Sequence, residues 1–160
     1  MEKLYKKDNN NDYYLSFILN RENFAINVPL VLEVLKIKKI VKVPLTPKHL
    51  KGLINLRGDV IPVIDMRTKF NFPEEVGKKE KIIIVIELIT IKKTIRIGAI
   101  VDSVENVLNI KKNEIENAPD ASSNYDNTFI KGMKKVGENF IMILNHYKIF
   151  AKELKNVKDK

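Results

Sequence analysis

Apolar and polar residues alternate over short runs along most of this chain, and that rhythm predicts strands. YYLSFIL and NFAIN are two such runs, and Asn20-Arg21-Glu22 between them predicts a hairpin. PLVLEVL departs from the rhythm: Val31, Val34 and Leu35 fall at spacings of three and four behind Pro29, which predicts a short helix. IVKV at 40–43 predicts a strand that PLTP stops. GLINLRGDVIPVIDMR, residues 52–67, predicts a second hairpin whose β-favouring runs close on Gly58-Asp59, a Gly-X turn. Pro62 cannot donate to a ladder, so it marks an edge or a break in pairing. Residues 71–81 are polar and hold Pro and Gly, so they read as a connection. IIIVIELI and TIRIGAIV predict another strand pair, DSVENVL has short-helix spacing, and 111–128 is a long polar loop. FIKGMKKV and NFIMIL predict a last hairpin, and NHYKIFAKELKNVK a C-terminal helix.

The same order of elements occurs twice. FAINVPLVLEVLKI (24–37) lies on IGAIVDSVENVLNI (97–110) without gaps, and HLKGLINLRGDVIPVIDMRTKF (49–70) on FIKGMKKVGENFIMILNHYKIF (129–150). Gly52 meets Gly132, Ile61 meets Ile141, and Phe70 meets Phe150. Strand alternation alone gives some such matches, but two ungapped blocks with paired glycines favour a duplication. The expected fold is therefore all-β: two five-stranded β-barrel subdomains, closed to hide their edges, with short helices and a C-terminal helix. The first barrel would span about 13–72 and the second about 80–146. Residues 1–12, polar and Asn-rich, read as a disordered arm, and 146–160 as the C-terminal helix and tail.

The two copies differ where chemistry would sit. Leu-Arg-Gly-Asp at 56–59 becomes Val-Gly-Glu-Asn at 136–139, so the apolar scaffold is shared and Arg57 belongs to the first half alone. Glu33 likewise stands against Asn106 in the alignment. A charge that the fold does not require twice is a candidate for function. The ordinary alternative for Arg57 is a turn-flanking residue paired with Asp59.

Composition narrows the function more by exclusion. Among 160 residues there is no cysteine and there are two histidines, His49 and His146, which rules out a disulfide framework and a His-rich zinc site. Both histidines read as surface residues flanking a strand or helix. GLINLRG lacks the Gly-Lys-[Ser/Thr] of a phosphate loop, so Gly52 and Gly58 are backbone devices, one for close approach and one for positive φ. Asp65 aligns with Asn145, which favours a structural role over acid–base work. No catalytic, cofactor or metal site is read. No apolar run approaches the roughly 20 residues of a membrane span and no secretory signal is visible, so a cytoplasmic protein without membrane insertion is expected. The net charge of +9 raises nucleic-acid binding, but the lysines are scattered and no strand interleaves them with aromatics.

LKGLINLRGDVIPVIDMRTKF resembles the signature of the CheW family, the coupling proteins of bacterial chemotaxis. FAINVPLVLEVL, KIIIVIEL, IGAIVDSVENVL and IKGMKKV follow in the family's order, so the resemblance runs from Tyr13 to about Phe150. It implies two SH3-like five-stranded barrels and a scaffold without catalysis or cofactor. It also implies two partners: the cytoplasmic tip of methyl-accepting chemoreceptors and the regulatory domain of the histidine kinase CheA. The protein would be a monomer when isolated, recruited to membrane receptor arrays. Receptor-binding features of the family map onto Val31, Glu33, Val34, Gly52 and Arg57, with further contacts near Gly98, Val104 and Val107; no comparably sharp motif marks the kinase surface. The chain departs from the pattern in Asp59 beside Arg57, in Asn145 where many members carry Asp, and in His146-Tyr147. Over these 160 residues neither a receiver nor a kinase domain is expected. An adaptor of another receptor–kinase pathway and a basic nucleic-acid-binding barrel remain as alternatives.

Overall fold

The computed structural model describes residues 12–37, 39–74, 80–117 and 127–156. The strands are β1 Tyr13–Leu19, β2 Glu22–Asn27, β3 Val31–Lys36, β4 Leu50–Leu56, β5 Asp59–Asp65, β6 Ile82–Ile89, β7 Thr94–Val101, β8 Ser103–Asn109, β9 Ile130–Val136 and β10 Asn139–Leu144. Among the described residues three short α-helices accompany them: α1 Met66–Lys69, α2 His146–Ile149 and α3 Ala151–Asn156. The N-terminal arm, apart from Asp12, lies outside the described residues, as do parts of the 71–81 connection, of the 111–128 loop and of the tail.

The strands form two five-stranded sheets, ordered β8-β1-β2-β10-β9 and β3-β6-β7-β5-β4. These orders become identical when β1 is set against β6, β2 against β7, and so on through β5 and β10. The repeat is therefore present in the topology. Each sheet, however, joins the first hairpin of one half to the third strand and last hairpin of the other. The parallel pairs β2–β10 and β5–β7 make that junction. The expectation of two closed barrels is corrected on this point: both sheets are open. In each, the chain beyond one edge strand meets the opposite edge strand through a single bridge, Val41 with Leu53 in one sheet and Glu116 with Met133 in the other. The strand expected over 40–43 is reduced to that one bridge.

Paired glycines make the two bridges possible. A Cβ on Gly52, where φ is +151°, would sit 2.2 Å from the Val41 carbonyl oxygen, and one on Gly132 would sit 2.7 Å from that of Glu116. The repeat also reuses a helix start. The Asp65 side chain accepts from the Arg67 N–H at the start of α1, and the Asn145 side chain accepts from the Lys148 N–H at α2. An Asx cap needs an acceptor but no charge, which is why Asn can stand for Asp there.

Two helices expected from the sequence are strands. Residues Val28–Leu30 make one 3₁₀ turn with Pro29 inside it, after which β3 runs with alternating exposure and pairs with β6. Ser103–Asn109 is likewise β8, an edge strand beside β1. Valines suit both spacings locally, and a free sheet edge decides for the strand, which also suits their β-branching. The C-terminal helix is broken in two at Phe150, which is fully buried.

Apolar side chains fill three layers. The central one lies between the sheets and includes Phe17, Phe24, Phe70 and Phe150, with the rings of Phe24 and Phe70 5.2 Å apart. A smaller cluster inside one sheet holds Ile54, Ile61, Val63, Ile83 and Val85, and its counterpart holds Tyr14, Ala25, Ile110, Ile141 and Ile143. Strand β6 is thus covered on both faces, which explains why IIIVI is a continuous apolar run. Where β7 leaves one sheet for β8 of the other, Asp102 gathers Arg67 (Nη2 at 2.8 Å), Lys81 (Nζ at 2.8 Å) and the Asn20 N–H (2.9 Å). One carboxylate so ties the first hairpin, α1 and the entrance of β6 to the crossover.

Candidate functional site

The β4–β5 hairpin turns on Arg57-Gly58, one residue earlier than the sequence suggests: Leu56 pairs with Asp59, and both turn residues have positive φ, 51° and 89°. Two positive φ values are the I′ pattern, whose twist matches that of the flanking strands. Glycine adopts this conformation freely, whereas arginine at the first position carries strain on the order of 1 kcal/mol. The Asn55 side chain accepts from the Gly58 N–H and holds the turn. The turn projects Arg57 outward, and its side chain is 76% exposed.

Arg57 does not pair with Asp59. Its Nη2 lies 2.9 Å from Oε2 of Glu33 on edge strand β3, so the two charges that set the first half apart are joined in space. Asp59 pairs instead with Arg96 of β7, which also donates from Nε to Glu87 of β6 at 3.1 Å. Hydrogen bonding to Glu87 raises the pKa of Arg96 beyond its ordinary value, against burial, and it stays charged. Leu32, Glu33, Leu56, Arg57, Asp59 and Arg96 line one shallow cleft. Leu56 is its buried floor, and Leu32 is exposed at its rim.

The other residues singled out in the sequence are dispersed. Val34 is exposed on β3 beside Glu33, whereas Val31 packs against the central core. Gly52 is buried under the Val41 bridge. Gly98 is buried in β7 opposite Val63, where a Cβ would stand 3.0 Å from Ile83. Val104 and Val107 belong to β8, the edge of the other sheet; Val104 packs inward and Val107 is exposed. Sequence reasoning passes over Glu87 and Arg96 and treats Asp59 only as a neighbour of Arg57; the one signal available is the charge of Arg96 immediately ahead of the 97–110 repeat block. Neither histidine is a plain surface residue. Burial, then Lys69, lowers the pKa of His49 against the pull of Glu153, whose Oε1 is 3.4 Å away. Burial, then Lys131, lowers that of His146 to about 4.

Fold and site together define a class: a β-sheet interaction module whose distinguishing chemistry is a charged outer cleft. Known proteins agree with it. The family model for the CheW-like domain matches residues 13–154, so the chain belongs to the CheW family, and it is a non-enzymatic scaffold of chemotaxis signalling. It is 33% identical over 138 residues to the chemotaxis protein CheW of Bacillus subtilis (strain 168), covering 86% of this chain and 85% of that one. Identity to the chemotaxis protein CheW of Klebsiella aerogenes is 26% over 140 residues, covering 88% and 82%. Among solved structures it is similar to the scaffolding protein TtCheW from Thermoanaerobacter tengcongensis, with a TM-score of 0.76, 32% identity, and coverage of 91% of this chain and 92% of that one. Among the described residues no helix is long and apolar enough to cross a membrane.

Proposed function

We propose that this scaffold couples a chemoreceptor to CheA from the cytoplasm, in arrays at the membrane, and that the Glu33–Arg57 face receives the receptor tip. The observation that carries the reading is the ion pair itself. It stands at the mouth of a cleft, on a strained turn position, in only one of two equivalent places in the fold. A guanidinium with most of its surface in solvent presents a rigid fork of donors, suited to the carboxylates or helix-end carbonyls of a receptor hairpin. Val34 and Leu32 beside it supply exposed apolar area on the same edge strand. The regulatory domain of CheA binds a different surface. Buried Gly52 and Gly98 serve this site by packing. Phe17, Phe24, Phe70 and Phe150 are wholly buried, so they offer no stacking platform for a nucleic acid.

The test is a pair of titrations of wild type and Arg57→Glu, one with a receptor cytoplasmic fragment and one with a CheA regulatory domain. The variant reverses the charge at the face and weakens receptor binding by about 2–4 kcal/mol while kinase binding is kept. Loss of both partners together, or loss of folding, refutes the assignment. Absence of CheA binding by the folded wild type points to a different kinase.

A further inference from the structure

The duplication supplies an internal control for the cleft. The two sheets share a register: Gly98 lies opposite Val63 as Ala25 lies opposite Ile143, so Arg96 occupies the place of Asn23, and Glu87, its cross-strand neighbour, the place of Ile18. Asp59 corresponds to Asn139. Together with Glu33 and Arg57, set against Asn106 and Gly137, five charged residues of one sheet correspond to five uncharged ones in the other. Both sheets fold to the same order, so the charges are not a requirement of the architecture. Asp59, Arg96 and Glu87 form a second ion-paired group, and its Asp59 and Arg96 line the same cleft as Glu33 and Arg57.

Exposure shows which charges face outward. Arg57 and Arg96 are 76% and 44% exposed, while Glu33 and Glu87 are 26% and 21% exposed and act as supports. Asp59 is the outward-facing acid of the five, at 57%. Two guanidiniums on one small cleft repel each other; Glu33 orients Arg57, and Asp59 and Glu87 together orient Arg96.

We propose that Arg96 is a second partner-reading arginine of this site. It acts with Arg57 on an acidic side chain of the receptor helix that docks here, while an apolar side chain of that helix covers Leu32 and Leu56. The inference rests on the receptor reading given above and adds the specificity residues Arg96 and Asp59. Asp59 competes with the partner's carboxylate for Arg96, so it weakens binding in exchange for selectivity.

The experiment titrates a soluble receptor cytoplasmic fragment against wild type, Arg57→Glu, Arg96→Gln and Asp59→Asn, with binding of the CheA regulatory domain and the thermal midpoint as controls for folding. Arg96→Gln weakens receptor binding about tenfold, the loss of a charge-assisted contact, and Asp59→Asn leaves it unchanged or tighter. Arg96→Lys, which keeps the charge and loses the fork, falls between wild type and Arg96→Gln and serves if Arg96→Gln does not fold. Equal losses in Arg96→Gln and Asp59→Asn overturn the proposal, because they mean that the pair only braces the hairpin. Wild-type affinity in Arg96→Gln alongside a weakened Arg57→Glu also overturns it, and leaves the receptor reading intact. Wild-type affinity in Arg57→Glu refutes the receptor reading of the face, and this inference with it.

Discussion

Replacing Asp102 with Asn keeps the side chain's shape and removes the charge at the crossover between the sheets. Burial alone would push this carboxyl up, but hydrogen bonds from Arg67, then Lys81 and the Asn20 N–H, outweigh it and hold the pKa at about 2, below the ordinary 3.8. At 1.36 kcal/mol per pKa unit, that difference corresponds to about 2–3 kcal/mol of folding stability. The side chain is 15% exposed and Arg67 is 11% exposed, so screening by solvent takes little of it. The sign follows from the direction of the shift. A folded-state pKa below the unfolded one gives stability that is complete above the ordinary value of 3.8 and is lost as pH falls through about 2. Urea denaturation followed by circular dichroism, run at neutral pH and stepwise into acid, reads both quantities. Asp102→Asn is less stable than wild type by about 2–3 kcal/mol at neutral pH, and the gap narrows as wild type itself becomes protonated. A gap below about 0.5 kcal/mol at neutral pH, the range of ordinary surface changes, refutes the role of Asp102 as the tie between the sheets.

The remaining predictions concern the repeat and a second partly buried titratable group. Gly52→Ala and Gly132→Ala each destabilise by more than about 2 kcal/mol, because each added Cβ meets backbone that cannot retreat, whereas Gly58→Asn, with open space around it, costs less than about 1 kcal/mol by denaturant titration. His146 is held neutral, first by burial and then by Lys131, with its pKa lowered from 6.5 to about 4. Its contribution is full above 6.5 and lost as pH falls toward 4, so wild type loses about 3 kcal/mol across that window and His146→Gln loses markedly less, measured as denaturation midpoints against pH.

Several features of the candidate site are legible in the amino-acid sequence. Alternation locates the hairpins, the repeat makes one half a control for the other, and that comparison isolates Glu33 and Arg57 as charges without counterparts. It cannot show that they pair, nor that Asp59 belongs to Arg96, because Glu33, Asp59 and Arg96 lie on three strands whose adjacency is not a property of any local segment. The helical spacing of β3 and β8 misleads for a related reason. A short apolar spacing fits both periods, and the deciding interaction is a sheet edge supplied from elsewhere in the chain.

By itself the sequence determined the four hairpins, the duplication, the two backbone glycines and membership of the family. Tertiary structure alone decided that the halves exchange strands, that the sheets stay open, and that Asp102 fastens one to the other. The physical reason is that side-chain period specifies which face of a strand is buried, but not which strand lies beside it. Partner choice is set by packing over the whole molecule. Here β2 gains β10 and β7 gains β5, and the interdigitated halves bury their large phenylalanines in one shared core.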